Sequence, residues 1–212
     1  MYVPRHFQMD PAEAVAFMRA HPFAILVTAA GGTPVATHIP VQVHGQGGLI
    51  WVTGHIAAAN EQKETFAGGT TALLIFHGPH AYISSSWYTV DEVPTWNYLA
   101  VHAYGTLRSL SEEELEADLK DLLLQYEGHR ENGRLWDTLP PELLARQMKG
   151  IVGFRVDVTR LEAKAKMSQN RKDIDYKRIV ERLEESPDPM DHAVAAWMRA
   201  HRQHLFKGPA QG

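Results

Sequence analysis

The sequence predicts a mainly β, α+β protein: an antiparallel barrel of about six strands with helices outside it and a helical pair at the C-terminus. Three observations predict it. Apolar runs, several with the two-residue period of a strand, recur up to Leu161 and are separated by glycine- and proline-bearing turns. The first three runs follow one another through short turns, as antiparallel neighbours do. Two segments, Ser111–Tyr126 and Asp173–Phe206, carry the helical period instead.

Asp10-Pro11-Ala12-Glu13 opens the first helix, because Asp10 can cap, Pro11 suits the first helical position and Glu13 sits where a capping box places its acid. Ala14, Phe17, Met18 and His21 share one face, and Pro22 ends the segment. Phe23–Ala29 is a continuous apolar run closed by Gly31-Gly32, a hairpin signal, and Pro34–Val43 answers it. Leu49–Thr53 makes a third strand after a second glycine-rich turn. Gly54–Lys63 reads in two ways. A strand ending at Thr53-Gly54 and entering a short helix through Asn60 collects N–H groups and a hydroxyl at a helix N-terminus, which suits a phosphate. A plain strand-to-helix turn with Gly54 as its stop is the other reading.

Thr70–Phe76 is a further buried strand, and His77-Gly78-Pro79-His80 reads as a turn. From there to Gly105 runs an aromatic stretch holding Tyr82, Trp87, Tyr88, Trp96, Tyr98 and Tyr104, with rings that can stack on a planar ligand. Ala81–Ser85 reads as strand, Ser86–Thr95 as a proline-bearing loop flanked by tryptophans, and Asn97–Tyr104 as strand. In the last, Tyr98, Ala100 and His102 alternate with Leu99, Val101 and Ala103.

Ser111–Tyr126 is a helix opened by a Ser111/Glu114 capping box, with Leu115, Leu119, Leu122, Leu123 and Tyr126 on one stripe and its charges on a solvated face. Pro140–Lys149 gives a shorter helix, and Gly150–Leu161 alternates as the closing strand. Glu162–Lys177 is basic through Lys164, Lys166, Arg171, Lys172 and Lys177; a ligand-binding segment and an exposed connector fit it equally. Two amphipathic helices follow, one showing Tyr176, Ile179, Val180 and Leu183, the other capped at Asp188 and showing Ala193, Val194, Trp197, Met198 and His201. Lys207–Gly212 should fray. The organisation expected is a barrel domain over 1–163 with a helical insertion at 111–148, then a basic connector and helices over 164–212.

Composition removes several function classes. There is no cysteine among the 212 residues, so disulfides, thiolate catalysis and thiolate metal sites are out. The pairs His77/His80 and His201/His204 lack the third and fourth ligands of a zinc site, and no metal is expected. No apolar run is long enough to span a bilayer and no signal-peptide core opens the chain, so a cytoplasmic protein is expected. A net charge of −4 and the lack of a basic reading helix leave weak or absent direct DNA binding, with Lys164–Lys177 as the only candidate.

GPHAYIS-x-SWY at 78–88 followed by VPTWNY-x-AVHAYG at 93–105 resembles the PaiB family of FMN-binding negative transcriptional regulators. MYVPRHF at the start, ATHIP at 36–40, GHIA-x-AN at 54–60, KGIVGF at 149–154 and MSQNR at 167–171 extend the resemblance, in family order, from Met1 to Arg171. The resemblance implies an FMN-binding split β-barrel and a homodimer with flavin between subunits. Its FMN phosphate would lie at Thr53, His55 and Asn60. The ring would lie against Trp96, Asn97 and Tyr98, with Lys166, Ser168, Gln169, Asn170 and Arg171 close by. The chain departs from the family where Ala58 stands for an arginine, which removes a charge-assisted contact to phosphate and weakens FMN binding. A flavin-dependent oxidoreductase on the same fold, with His102 and Tyr104 as acid or base candidates, is the alternative from another class. A barrel holding haem or another planar ligand is a third.

Overall fold

The computed structural model describes residues 1–66 and 69–206. The expected fraying of Lys207–Gly212 lies outside these residues. Six strands, β1 (Phe23–Ala30), β2 (Thr33–Gln46), β3 (Leu49–Ala57), β4 (Thr71–Ile83), β5 (Thr95–Ser109) and β6 (Ile151–Lys166), close a barrel in the order β1-β2-β3-β6-β5-β4. The helices are α1 (Pro11–Ala20), α2 (Glu112–Glu127), α3 (Pro141–Met148), α4 (Asp173–Glu184) and α5 (Pro189–His201). The expected fold class is the observed one.

β1 and β2 are joined through Gly31 and Gly32, both at positive φ (56° and 87°), the backbone of a two-residue hairpin turn matched to strand twist. β1 also pairs antiparallel with β4, Leu26 opposite Leu74, and β3 pairs with both β2 and β6. Three strands are longer than the sequence suggested. β3 does not stop at Gly54: it runs to Ala57, and Gly54 is needed because a Cβ there would come within 2.9 Å of the Phe154 ring. β4 does not turn at Gly78-Pro79, and what read as two strands is one, from Thr71 to Ile83. β6 continues past Leu161 to Lys166, so the expected basic connector begins as strand. In each case ladder pairing overrode a local breaker or a change of composition.

Contacts divide the chain into two compact units. One comprises Met1–Ala14, His77–Val101 and the chain from Glu162 onward; the other comprises Val15–Phe76 and His102–Leu161. β4, β5 and β6 contribute to both. The second unit buries Leu26, Val52, Leu74, Phe76, Phe154 and Val156, with Phe66 edge-on to Phe154. The first buries Ile83, Leu99 and Met167 together with the apolar stripes of α4 and α5: Tyr176, Ile179, Val180, Leu183, Val194 and Met198. Burial pushes the Tyr176 phenol up to about 12, and its hydroxyl donates to the Met198 carbonyl at 2.8 Å. α2 opens with the expected capping box, in which Glu114 accepts from Ser111 N–H and Ser111 Oγ accepts from Glu114 N–H. Its charges are not all solvated, however, since Asp118 is buried, whereas Tyr126 of the expected apolar stripe is exposed.

Candidate functional site

The residues expected to accept a phosphate lie in the second unit, where a buried carboxylate, Asp118, meets Thr53 and Arg155 stands opposite Thr53 on the neighbouring strand. Gln42 and Thr53 face one another across β2 and β3, and both reach Asp118 on α2. Gln42 Nε2 donates to the Asp118 carboxylate and to its carbonyl, each at 2.8 Å, and the Thr53 hydroxyl donates to the same carboxylate. With its proton committed there, the Thr53 oxygen accepts from His44 Nε2 at 2.8 Å, which fixes that tautomer. Asp118 is only 8% exposed, and burial raises its pKa against the opposing pull of Thr53, His44 and His55. Burial likewise holds His44 and His55 below the ordinary histidine value, against the attraction of Asp118, so both imidazoles are neutral at pH 7. Sequence reasoning missed Asp118, whose spacing puts it among the solvated charges of α2. A buried acceptor is favoured there because Gln42 and Thr53 are themselves buried and both donate to it.

Downstream, Asn60 Oδ1 accepts from Gln62 N–H at 2.9 Å and so caps the 3₁₀ helix Glu61–Phe66, while its amide donates to Thr37. Gln62 is buried and donates to Leu26 O, Thr28 Oγ and Val35 O, a second polar hub the sequence did not mark. The N–H groups of Ala58, Asn60 and Lys63 are spent on the carbonyls of Gly150, Ala57 and Asn60. The Lys63 ammonium donates to the Ala58 carbonyl at 2.6 Å. These groups are thus engaged within the fold, and Ala58 adds no charge among them.

The remaining candidates lie in the first unit, and there positive charge gathers beside aromatic rings. β5 alternates: Asn97 is fully buried, whereas Trp96 is 53% exposed and Tyr98 is partly exposed. Asn97 accepts from Ser168 Oγ at 3.1 Å; Ser168 is buried and takes the left-handed conformation (φ 60°). Gln169 folds back, accepting from Met167 N–H at 2.7 Å and donating to the Ala165 carbonyl. Asn97, Ser168 and Gln169 therefore hold the turn, and Trp96, Tyr98, Lys166 and Asn170 present accessible surface. Arg202, beyond α5, locks the same turn by donating to the carbonyls of Gln169 (2.6 Å) and Arg171 (3.3 Å), a contact only the fold reveals.

Lys166 Nζ donates to the Thr95 hydroxyl and to the Trp96 carbonyl at 3.0 Å, both neutral acceptors. Lys164 Nζ lies 5.2 Å from the Tyr98 ring centre and donates to the Tyr2 carbonyl. Arg171 pairs with Glu92 and stacks 4.6 Å over Tyr88. Burial, then the charges of Lys164 and Arg171, push the Lys166 ammonium below its ordinary value. Lys164 is buried and Arg171 is paired, so Lys166 is the partly exposed cation here, held by neutral acceptors beside aromatic rings. Of the acid or base candidates, Tyr104 lies under the Arg160 guanidinium (3.8 Å) and His102 meets it edge-on. Among the described residues no three of His, Cys, Asp and Glu converge as a metal group, and no helix is long and apolar enough to cross a membrane.

Comparison with known proteins bears on the family and the fold. Residues 1–160 match the family model described as "Putative FMN-binding domain". Protease synthase and sporulation protein PAI 2 of Bacillus subtilis is 43% identical over 199 residues, covering 93% of this chain and 96% of that protein. Two solved structures share the fold. The flavocytochrome Anf3 from Azotobacter vinelandii has a TM-score of 0.58 at 18% identity, over 77% of this chain and 72% of that one. The FAD and heme binding protein from Mycobacterium smegmatis has a TM-score of 0.55 at 14% identity, over 74% and 71% respectively.

Proposed function

The chain belongs to this FMN-binding family, shared with the PAI 2 protein of Bacillus subtilis, and from that premise we propose that it binds FMN through its first unit and acts as a PaiB-type negative regulator of transcription. The observation that carries the reading is the lysine pair Lys164 and Lys166 set against Trp96 and Tyr98. Trp96 and Tyr98 offer ring faces for the isoalloxazine, and Lys166 offers a cation whose present partners are neutral, ready for an electron-rich edge or an anionic group. Asn170, exposed on the same turn, supplies an amide. Bound FMN would supply redox chemistry, tuned by the charge beside it. Regulation by this chain runs through flavin or a protein partner rather than through DNA reading of its own: the expected duplex affinity is weak, given a net charge of −4. The loop Ser86–Thr95, with Val90 and Val93 exposed, is the surface proposed for a homodimer, and light scattering at micromolar concentration checks it.

The test is an FMN titration followed by flavin fluorescence, with the visible spectrum of the loaded protein. Saturable quenching that weakens in Lys166→Ala supports the reading. Tight binding unaffected by Lys166→Ala removes the first unit as the site. A salt-sensitive duplex shift lost on charge reversal of Lys164, Lys166, Arg171 and Lys172 would establish direct DNA contact instead.

A further inference from the structure

Within the first unit, a cleft of about 490 Å³ opens along the outer face of β4 and β5 toward the start of α5. Its aromatic wall is His80, Tyr82, Trp87 and Trp96. Tyr82 meets Trp96 edge-on at 5.8 Å, His80 lies 6.2 Å from the same indole, and Tyr82 and Trp96 are 47% and 53% exposed. Its only charged lining groups are two carboxylates, Asp188 and Asp191, and neither lysine nor arginine lines it. Isolated surface aromatics are ordinary, but a concave set rimmed by one sign of charge selects a ligand.

We propose that this cleft binds a small organic cation, of the quaternary-ammonium class, held by the ring faces and by the two carboxylates. Indole and phenol rings attract cations through their quadrupole, and a methylated ammonium loses little hydration on entering such a site. The cleft shares the Trp96 indole with the surface proposed for flavin, but its own lining carboxylates favour a cation and repel a phosphate, and the proposal does not rest on the flavin reading.

The probe is tetramethylammonium chloride, followed through the indole N–H resonances of the full-length ¹⁵N-labelled protein without FMN, against sodium chloride at matched ionic strength. The Trp87 and Trp96 resonances, out of the five indoles, are expected to move saturably. Asp191→Asn should weaken binding about fivefold, and Trp96→Leu at least as much. Asp188→Asn keeps the helix cap to Met190 N–H while deleting the charge, so a matching loss there reports the carboxylate and not α5. Absence of saturable shifts, equal shifts with sodium chloride, equal affinity for benzoate, or unchanged affinity in Asp191→Asn each overturns the proposal.

Discussion

The stretch around β3 and the stretch where β5 meets the end of β6 both carry residues that the family resemblance assigns to one ligand, yet the chain equips them in opposite ways. Around β3 several polar groups are engaged within the fold. Thr53, Gln42 and His44 converge on a buried carboxylate, Asn60 caps its helix, and the Ala58 and Asn60 N–H groups serve carbonyls. Around Trp96 the buried Asn97 and Ser168, with the half-buried Gln169, close a turn, while Lys166 is left with two neutral acceptors beside exposed rings. Saturated internal hydrogen bonding marks a structural network; under-neutralised charge next to exposed aromatics marks a place for a ligand.

Asp118→Leu should show the largest effect. It removes the acceptor of the Thr53 hydroxyl and one of the two acceptors of the Gln42 amide in a dry site, costing about 3 kcal/mol in urea denaturation, whereas Asp118→Asn, which keeps an acceptor, should cost far less. If both variants unfold like the parent, the network is not structural and the contrast fails. Next comes Lys166→Ala, expected to weaken FMN binding about tenfold by removing one charge-assisted contact while leaving the urea midpoint nearly unchanged.

A pH series sharpens the β3 side. His44 and His55 have folded pKa values depressed below 6.5, so the unfolded chain takes up protons first. Their contribution to stability is complete above pH 6.5 and is lost as the pH falls below it toward the folded values. Asp118, raised from 3.8, has the opposite sign: its ionisation opposes folding, and that cost fades as the pH falls through its folded value. His44→Gln, which can still donate to Thr53, should flatten the decline just below pH 6.5. A slope identical to the parent's would show that His44 is not held neutral.

The smallest effect is expected from Ala58→Arg, which supplies the cation that the family resemblance implies. With the neighbouring N–H groups spent, FMN affinity should stay within about threefold. A tenfold gain would return the phosphate to Thr53–Asn60.

Much of the fold was legible from local pattern. The Asp10-Pro11 start, the Gly31-Gly32 hairpin, the Ser111/Glu114 box and the alternation after Asn97 each follow from turn chemistry or period, and each stands in the structure. The misreadings share one cause: Gly54, Gly78-Pro79 and the basic run at Lys164 look like breaks, but neighbouring strands carry the ladder through them. The site was legible as a set of residue types and not as roles. Asn97 and Ser168 read as ligand groups and are each other's buried partners, while Asp118, read among solvated charges, and Gln62 and Arg202, which the sequence did not mark, hold the interior together.

What the sequence determined by itself is the class of fold, the caps and turns, and the chemical character of each stretch, because periodicity and capping act over a few residues. What only the tertiary structure decided is which polar groups face one another. Thr53 and Asp118 are 65 residues apart, and Lys166 and Thr95 71, and their hydrogen bonds form only once strands and helices have folded. That long-range pairing separates the groups already spent on the fold from those still available to a ligand.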